Sequence, residues 1–138
     1  MVGYRLAWMS ERSLRIVFLG LAAVNLGLAI WLFFLPHSFY TTIGAFDSYN
    51  RHYERDVATF YVGFALGAWG AARYPSWRVP VLAMTTIQYL THTINHGIDI
   101  NDANNSWAGP FDLATLGLGT LQFAGLLWLL RRRKSAEA

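Results

Sequence analysis

Four apolar segments, each long enough to cross a bilayer as a helix, take up most of this chain. They run from about Ser13 to Leu35, Asp56 to Tyr74, Trp77 to Ile98 and Phe111 to Leu130. Crossing roughly 30 Å of hydrocarbon takes about 20 helical residues. Lipid offers no partner to a backbone N–H or C=O, so a span must satisfy them internally, and no barrel-like alternation is present. The expected fold is therefore all-α: a four-helix transmembrane bundle forming one integral membrane domain over residues 1–138. Breakers support the boundaries, with Pro36 after the first span, Pro75 in the second connection, and Gly109 and Pro110 before the fourth. The first run is too long for a cleavable signal core and is expected to be retained.

Composition agrees, since 54% hydrophobic and 14% charged residues lie outside the range of ordinary soluble domains. Most basic residues sit at span ends, which points to topology and away from nucleic acid. Arg5, Arg12, Arg15, Arg73, Arg78, Arg131, Arg132, Arg133 and Lys134 fall on one side of the expected bundle, and Arg51 and Arg55 on the other. Basic flanks stay in the cytoplasm, so both termini are expected inside a cytoplasmic (inner) membrane crossed several times. Asp47, Glu54, Asp56, Asp99, Asp102 and Asp112 then lie toward the outer face, and Glu11 and Glu137 inside. Trp8, Trp31, Tyr74, Trp77, Trp107 and Trp128 read as headgroup-level anchors in contact with membrane lipid. Small residues at helical spacing are expected to be packing faces, within the bundle, between copies of the chain or with a partner membrane subunit. They are Ala23 and Gly27, then Gly63, Gly67 and Gly70, then Gly117 and Gly125.

The chemistry concentrates in the third span, "TTIQYLTHTINHGID". At about 100° per residue Thr85, Gln88, His92, Asn95, His96 and Asp99 share one sector, with Ile87, Leu90, Ile94 and Ile98 opposite. Ionisable groups inside a membrane cost at least a few kcal/mol each, so such a row needs partners or a purpose. His52, Asp56 and Asp112 fall toward the same outer end, and Gln122 lies at a depth where it could meet Gln88. Together these residues are expected to enclose an outward-facing polar pocket.

Three readings of that pocket compete. Histidines at i and i+4 present two imidazoles from one face. With Asp99, and with His52 or Asp56 closing the shell, they suit a divalent metal such as zinc, iron, manganese or copper. Gln88, Asn95, Asp112 and Gln122 are the further ligand-binding candidates. Haem fits less well, because its two axial histidines must come from different helices and His52 would have to supply one. The absence of cysteine removes thiolate ligands, disulfides and thiol nucleophiles, and the missing Glu of HExxH removes the zincin general base. The second reading is an isomerase or hydrolase acting on a lipophilic substrate, with His92 or His96 as acid or base and Asp56 or Asp99 orienting it. The third is a hydrogen-bonded network that only ties helices together, as in a structural subunit.

The stretches "NRHYERDVATFYVGF", "AARYPSWRVPVL" and "QYLTHTINHGID" resemble small four-span bacterial membrane proteins of the DoxX-like kind, particularly uncharacterised actinobacterial members. The resemblance covers about half the chain, across the second and third spans. It implies a four-helix bundle in a bacterial cytoplasmic membrane and, because some DoxX-like proteins are linked to quinone-coupled redox complexes, an accessory place in a larger redox assembly. It assigns no catalytic residue.

Overall fold

A computed structural model describes residues 9–44 and 46–137, with side chains described as far as Arg132. Arg5 and Trp8, and the side chains of Arg133, Lys134 and Glu137, lie outside that range. The described residues form five α-helices: α1 (Glu11–Phe34), α2 (Pro36–Thr42), α3 (Arg51–Arg73), α4 (Arg78–Ile98) and α5 (Ala108–Glu137). A single 3-10 turn, Pro75–Trp77, joins α3 to α4.

Local chemistry sets the ends. The Ser10 hydroxyl accepts from the Ser13 N–H at 3.0 Å and caps α1. Pro36 disfavours helical backbone at Leu35, so α1 stops and a second helix starts on the proline itself. That helix, α2, is seven residues long and lies between the first and second expected spans. Asn50 caps α3 by accepting from the His52 and Tyr53 N–H groups at 3.0 and 3.2 Å. Asp47 adopts φ 52°, a left-handed conformation that Asp tolerates better than most residues.

Helices α1 and α3 pack along each other, as do α4 and α5, while α3 meets α4 over a shorter stretch. The buried face of α3 is mainly an alanine row, Ala58, Ala65, Ala68 and Ala72; of the expected glycine row Gly70 is buried, Gly67 touches Val81 and Gly63 is not part of a contact. A Cβ built at Gly27, Gly63 or Gly125 would meet nothing within 4 Å, so those positions are not packing seams within the chain. Gly70 is a true close approach, with the Trp77 ring 2.5 Å from where its Cβ would be.

All four long helices meet at one end, where Leu14 and Phe18, Ala71 and Ala72, Val81 and Leu82, and Leu130 form a buried cluster. Arg78 sits there, only 5% exposed. Its guanidinium forks onto both Glu11 carboxylate oxygens, Nη1 donating to Oε2 at 2.8 Å and Nη2 to Oε1, while Nε donates to the Ala71 carbonyl at 3.2 Å. A cation expected as a topology signal thus ties α1, α3 and α4 together.

Two helices, Glu11–Phe34 and Ala108–Arg132, are long and apolar enough to cross a membrane by length and composition. Helices α3 and α4, expected as the second and third spans, do not pass the same measure. Arg51, Glu54, Arg55 and Asp56 at the head of α3, and the polar stripe of α4, lower their apolar character. Large apolar side chains nevertheless stand exposed on both, including Phe60, Leu66 and Trp69 on α3 and Ile87, Ile94 and Ile98 on α4.

Candidate functional site

Most of the polar stripe of α4 turns inward as its periodicity predicts, with Asn95 at its edge left exposed. Ile87, Leu90, Ile94 and Ile98 are 63%, 46%, 55% and 74% exposed, which leaves the opposite sector facing α5 and the loops. Thr85 is fully buried, and the Thr93 and Thr120 hydroxyls meet at 3.0 Å to join α4 to α5.

Beyond these threonines the stripe becomes an ordered array. Gln88 Nε2 lies 3.3 Å from His92 Nδ1, and His92 Nε2 lies 3.0 Å from His96 Nε2. An amide nitrogen can only donate, so with this Gln88 orientation His92 Nδ1 accepts and its proton resides on Nε2. That N–H donates to His96 Nε2, which leaves the His96 proton on Nδ1, on the side of Asp112. Asp112, in the first turns of α5, holds its Oδ2 3.9 Å from His96 Nδ1, with the two side chains 13% and 12% exposed. This separation is beyond hydrogen-bond reach. Both atoms are buried and neither has a hydrogen-bond partner among the described residues.

The site is capped, where an open outward pocket was expected. The Phe46 ring stands edge-on over His96, centroids 4.8 Å apart at 88°. Phe46 also bridges Ala103, so the segment before α3 is paired with the loop before α5. Asn104 Nδ2 donates to the Tyr40 hydroxyl at 2.8 Å and to the Asp47 carbonyl at 3.0 Å, and the Tyr40 hydroxyl donates to the same carbonyl at 2.7 Å. The loop from Asn101 to Asn105 therefore fastens the cap.

No family model, curated protein or solved structure matches the chain. The DoxX-like resemblance accordingly rests on the three stretches quoted above.

Of the expected site residues, the structure gathers Gln88, His92, His96 and Asp112. Asp99 caps the C-terminus of α4 and lies within electrostatic range of His96. Asn95 and Gln122 are exposed, so Gln122 does not meet Gln88, which instead pairs within its own helix. His52 and Asp56 do not join the site. They pair with each other at 3.4 Å, with side chains 87% and 60% exposed. At 100° per residue both fall roughly opposite the row of Glu54, Ala58 and Ala65 that α3 buries, and that row decides which way the helix faces. Without them, no group of three His, Asp or Glu side chains among the described residues is arranged to hold a metal ion.

Phe46 and the Tyr40–Asp47–Asn104 tie had no sequence signal beyond an aromatic in a polar connection. Tyr61 of α3, within electrostatic range of Tyr89 and Asp112, was hidden among the many aromatics of the spans.

Proposed function

We propose that this chain is a multi-pass protein of a bacterial cytoplasmic membrane, with both termini inside, that binds a small hydroxyl-bearing ligand between His96 and Asp112. The observation that carries this reading is the pair of buried, unpartnered atoms His96 Nδ1 and Asp112 Oδ2 facing each other at 3.9 Å. Leaving such groups unpaired costs about 1–3 kcal/mol each. The tautomer chain makes His96 Nδ1 a donor and leaves the carboxylate an acceptor, and a hydroxyl can accept from the first while donating to the second. His92 behind them, held by the Gln88 amide, donates to His96 Nε2 and so keeps the His96 proton on Nδ1, from which His96 can give it to a lipophilic substrate and take it back at the same atom. The exposed apolar faces of α3 and α4 support the four-span membrane placement. The DoxX-like resemblance supports the bacterial setting and an accessory place in a larger redox assembly.

A second reading, a divalent transition metal, is favoured by the convergence of His92 Nε2 and His96 Nε2 to 3.0 Å. With the Gln88 amide turned so that its Oε1 accepts, each imidazole Nδ1–H lies on the side of an acceptor, Gln88 or Asp112, as metal-bound imidazoles usually do. Such an ion keeps open positions for water or a ligand.

One preparation separates these readings: the chain purified in mild detergent without a histidine tag, with elemental analysis and mass spectrometry of its organic extract. A hydroxyl-bearing molecule near one per chain, reduced at least tenfold in Asp112→Asn, is the expected result. A metal near one per chain, lost in His92→Ala, puts the second reading in its place. A preparation with neither, in which Asp112→Asn is only more stable, overturns both and leaves a structural network.

A further inference from the structure

At the opposite end from His96, the start of α1 and the end of α3 enclose a groove of about 340 Å³ lined by Glu11, Arg12, Arg15, Ala72, Arg73 and Pro75. Its volume is in the range of small-ligand sites, about 300–1,000 Å³. Its charge is one-sided. Glu11 is the only carboxylate among the described residues of the lining, and its charge is met by the Arg78 fork from behind. Arg12, Arg15 and Arg73 supply the remaining charge, and a guanidinium is the side chain best shaped to grip a phosphate with two parallel hydrogen bonds.

What lies one turn deeper on the same helix faces identifies the ligand class. Four residues on from Arg12 and Arg15 come Ile16 and Leu19, 60% and 40% exposed, and four and seven residues before Arg73 come Trp69 and Leu66, 56% and 62% exposed. The basic groove therefore continues into an apolar surface on both helices. Tyr74 and Trp77 flank this level, 50% and 49% exposed, as aromatic side chains do at lipid headgroups. A free phosphate would use only the arginines; a phospholipid uses both parts.

We infer that this groove binds the phosphate of an anionic phospholipid, with Arg12, Arg15 and Arg73 on the headgroup and the acyl chains along Ile16, Leu19, Leu66 and Trp69. The inference rests on the membrane placement proposed above. Basic pockets between helices at a membrane face bind such headgroups, whereas dispersed surface charge gives only non-specific attraction.

The test is lipid retention by native mass spectrometry of the full chain taken from nanodiscs of mixed phosphatidylglycerol and phosphatidylcholine. Incorporation into phosphatidylcholine nanodiscs is checked first, and failure at that step counts against the membrane placement rather than the groove. Wild type should retain phosphatidylglycerol at least tenfold over phosphatidylcholine. Arg12→Gln/Arg15→Gln and the single Arg73→Gln should each lose most of that preference. Arg131→Gln/Arg132→Gln removes two charges outside the groove and should keep it. Equal retention of the two lipids by wild type, equal loss in the Arg131/Arg132 variant, or displacement of the lipid by millimolar inorganic phosphate would each overturn the inference.

Discussion

Arg78, Glu54 and Asp112 are all charged side chains taken largely out of water, with 5%, 8% and 9% of their surface exposed, and their surroundings differ. Arg78 is satisfied by Glu11 and the Ala71 carbonyl, the condition under which burying a cation is tolerable. Asp112 has an oxygen that faces His96 and finds no hydrogen-bond partner among the described residues, which is why the proposed ligand is placed there. Glu54 precedes the second expected span, and burial pushes its carboxyl up from the ordinary value of 4.5. The sign of the resulting pH dependence follows directly. A carboxyl whose folded-state pKa is raised binds its proton more tightly folded than unfolded. Its stabilising contribution is complete below the unfolded value and is lost as pH rises through the folded one. Thermal unfolding in detergent should therefore show wild type losing stability from about pH 4 upward. Glu54→Gln should flatten that part of the profile and be the more stable protein at neutral pH; an unchanged profile would show that the burial carries no such cost.

At the scale of elements, helix faces are decided by what packs, and only part of that is written in periodicity. The α4 stripe was legible because polar and apolar residues alternate on it with a clear helical period, and the structure turns Gln88, His92 and His96 inward as expected. The α3 face was not. Its head carries His52 and Asp56 with the spacing of a ligand pair, yet the alanine row beyond them outweighs that spacing and turns both outward. The glycines divide for a related reason, with Gly67, Gly70 and Gly117 against a neighbouring side chain and Gly27, Gly63 and Gly125 against none in the chain: a small residue permits a close approach without requiring one. Gly27 and Gly109 make the contrast measurable. Nothing lies within 4 Å of a Cβ at Gly27, so Gly27→Ala should raise stability by about 0.5–1 kcal/mol through helix propensity. A Cβ at Gly109 would strike the Ile100 carbonyl oxygen, which is backbone and cannot swing aside. Gly109→Ala should lower stability by about 2–3 kcal/mol and displace Asp112, three residues on. Unfolding in a denaturing detergent reads both. A loss at Gly27 would instead expose a partner, another copy or a different subunit, seated on that face.

The whole molecule places two kinds of surface at opposite ends, the capped imidazole–carboxylate site at one and the arginine-lined groove at the other. The long helices between them carry exposed Leu, Ile, Phe and Trp side chains. In water that distribution would drive aggregation; in lipid it is the ordinary exterior of a bundle. How many helices cross decides which end faces which compartment. If all four long helices cross, residues 48 and 106 share one side and residue 76 lies on the other. If only the two most apolar helices cross, α1 and α5, then 48, 76 and 106 all lie on one side, because no crossing separates them. Since the chain has no cysteine, single Ser48→Cys, Ser76→Cys and Ser106→Cys variants give a clean background for a membrane-impermeant thiol reagent on intact bacteria. The arginine distribution predicts labelling at 48 and 106 from outside, and at 76 only after the membrane is permeabilised. Labelling of all three from one side would remove α3 and α4 from the membrane, and with them both the lipid-facing groove and the embedded histidines.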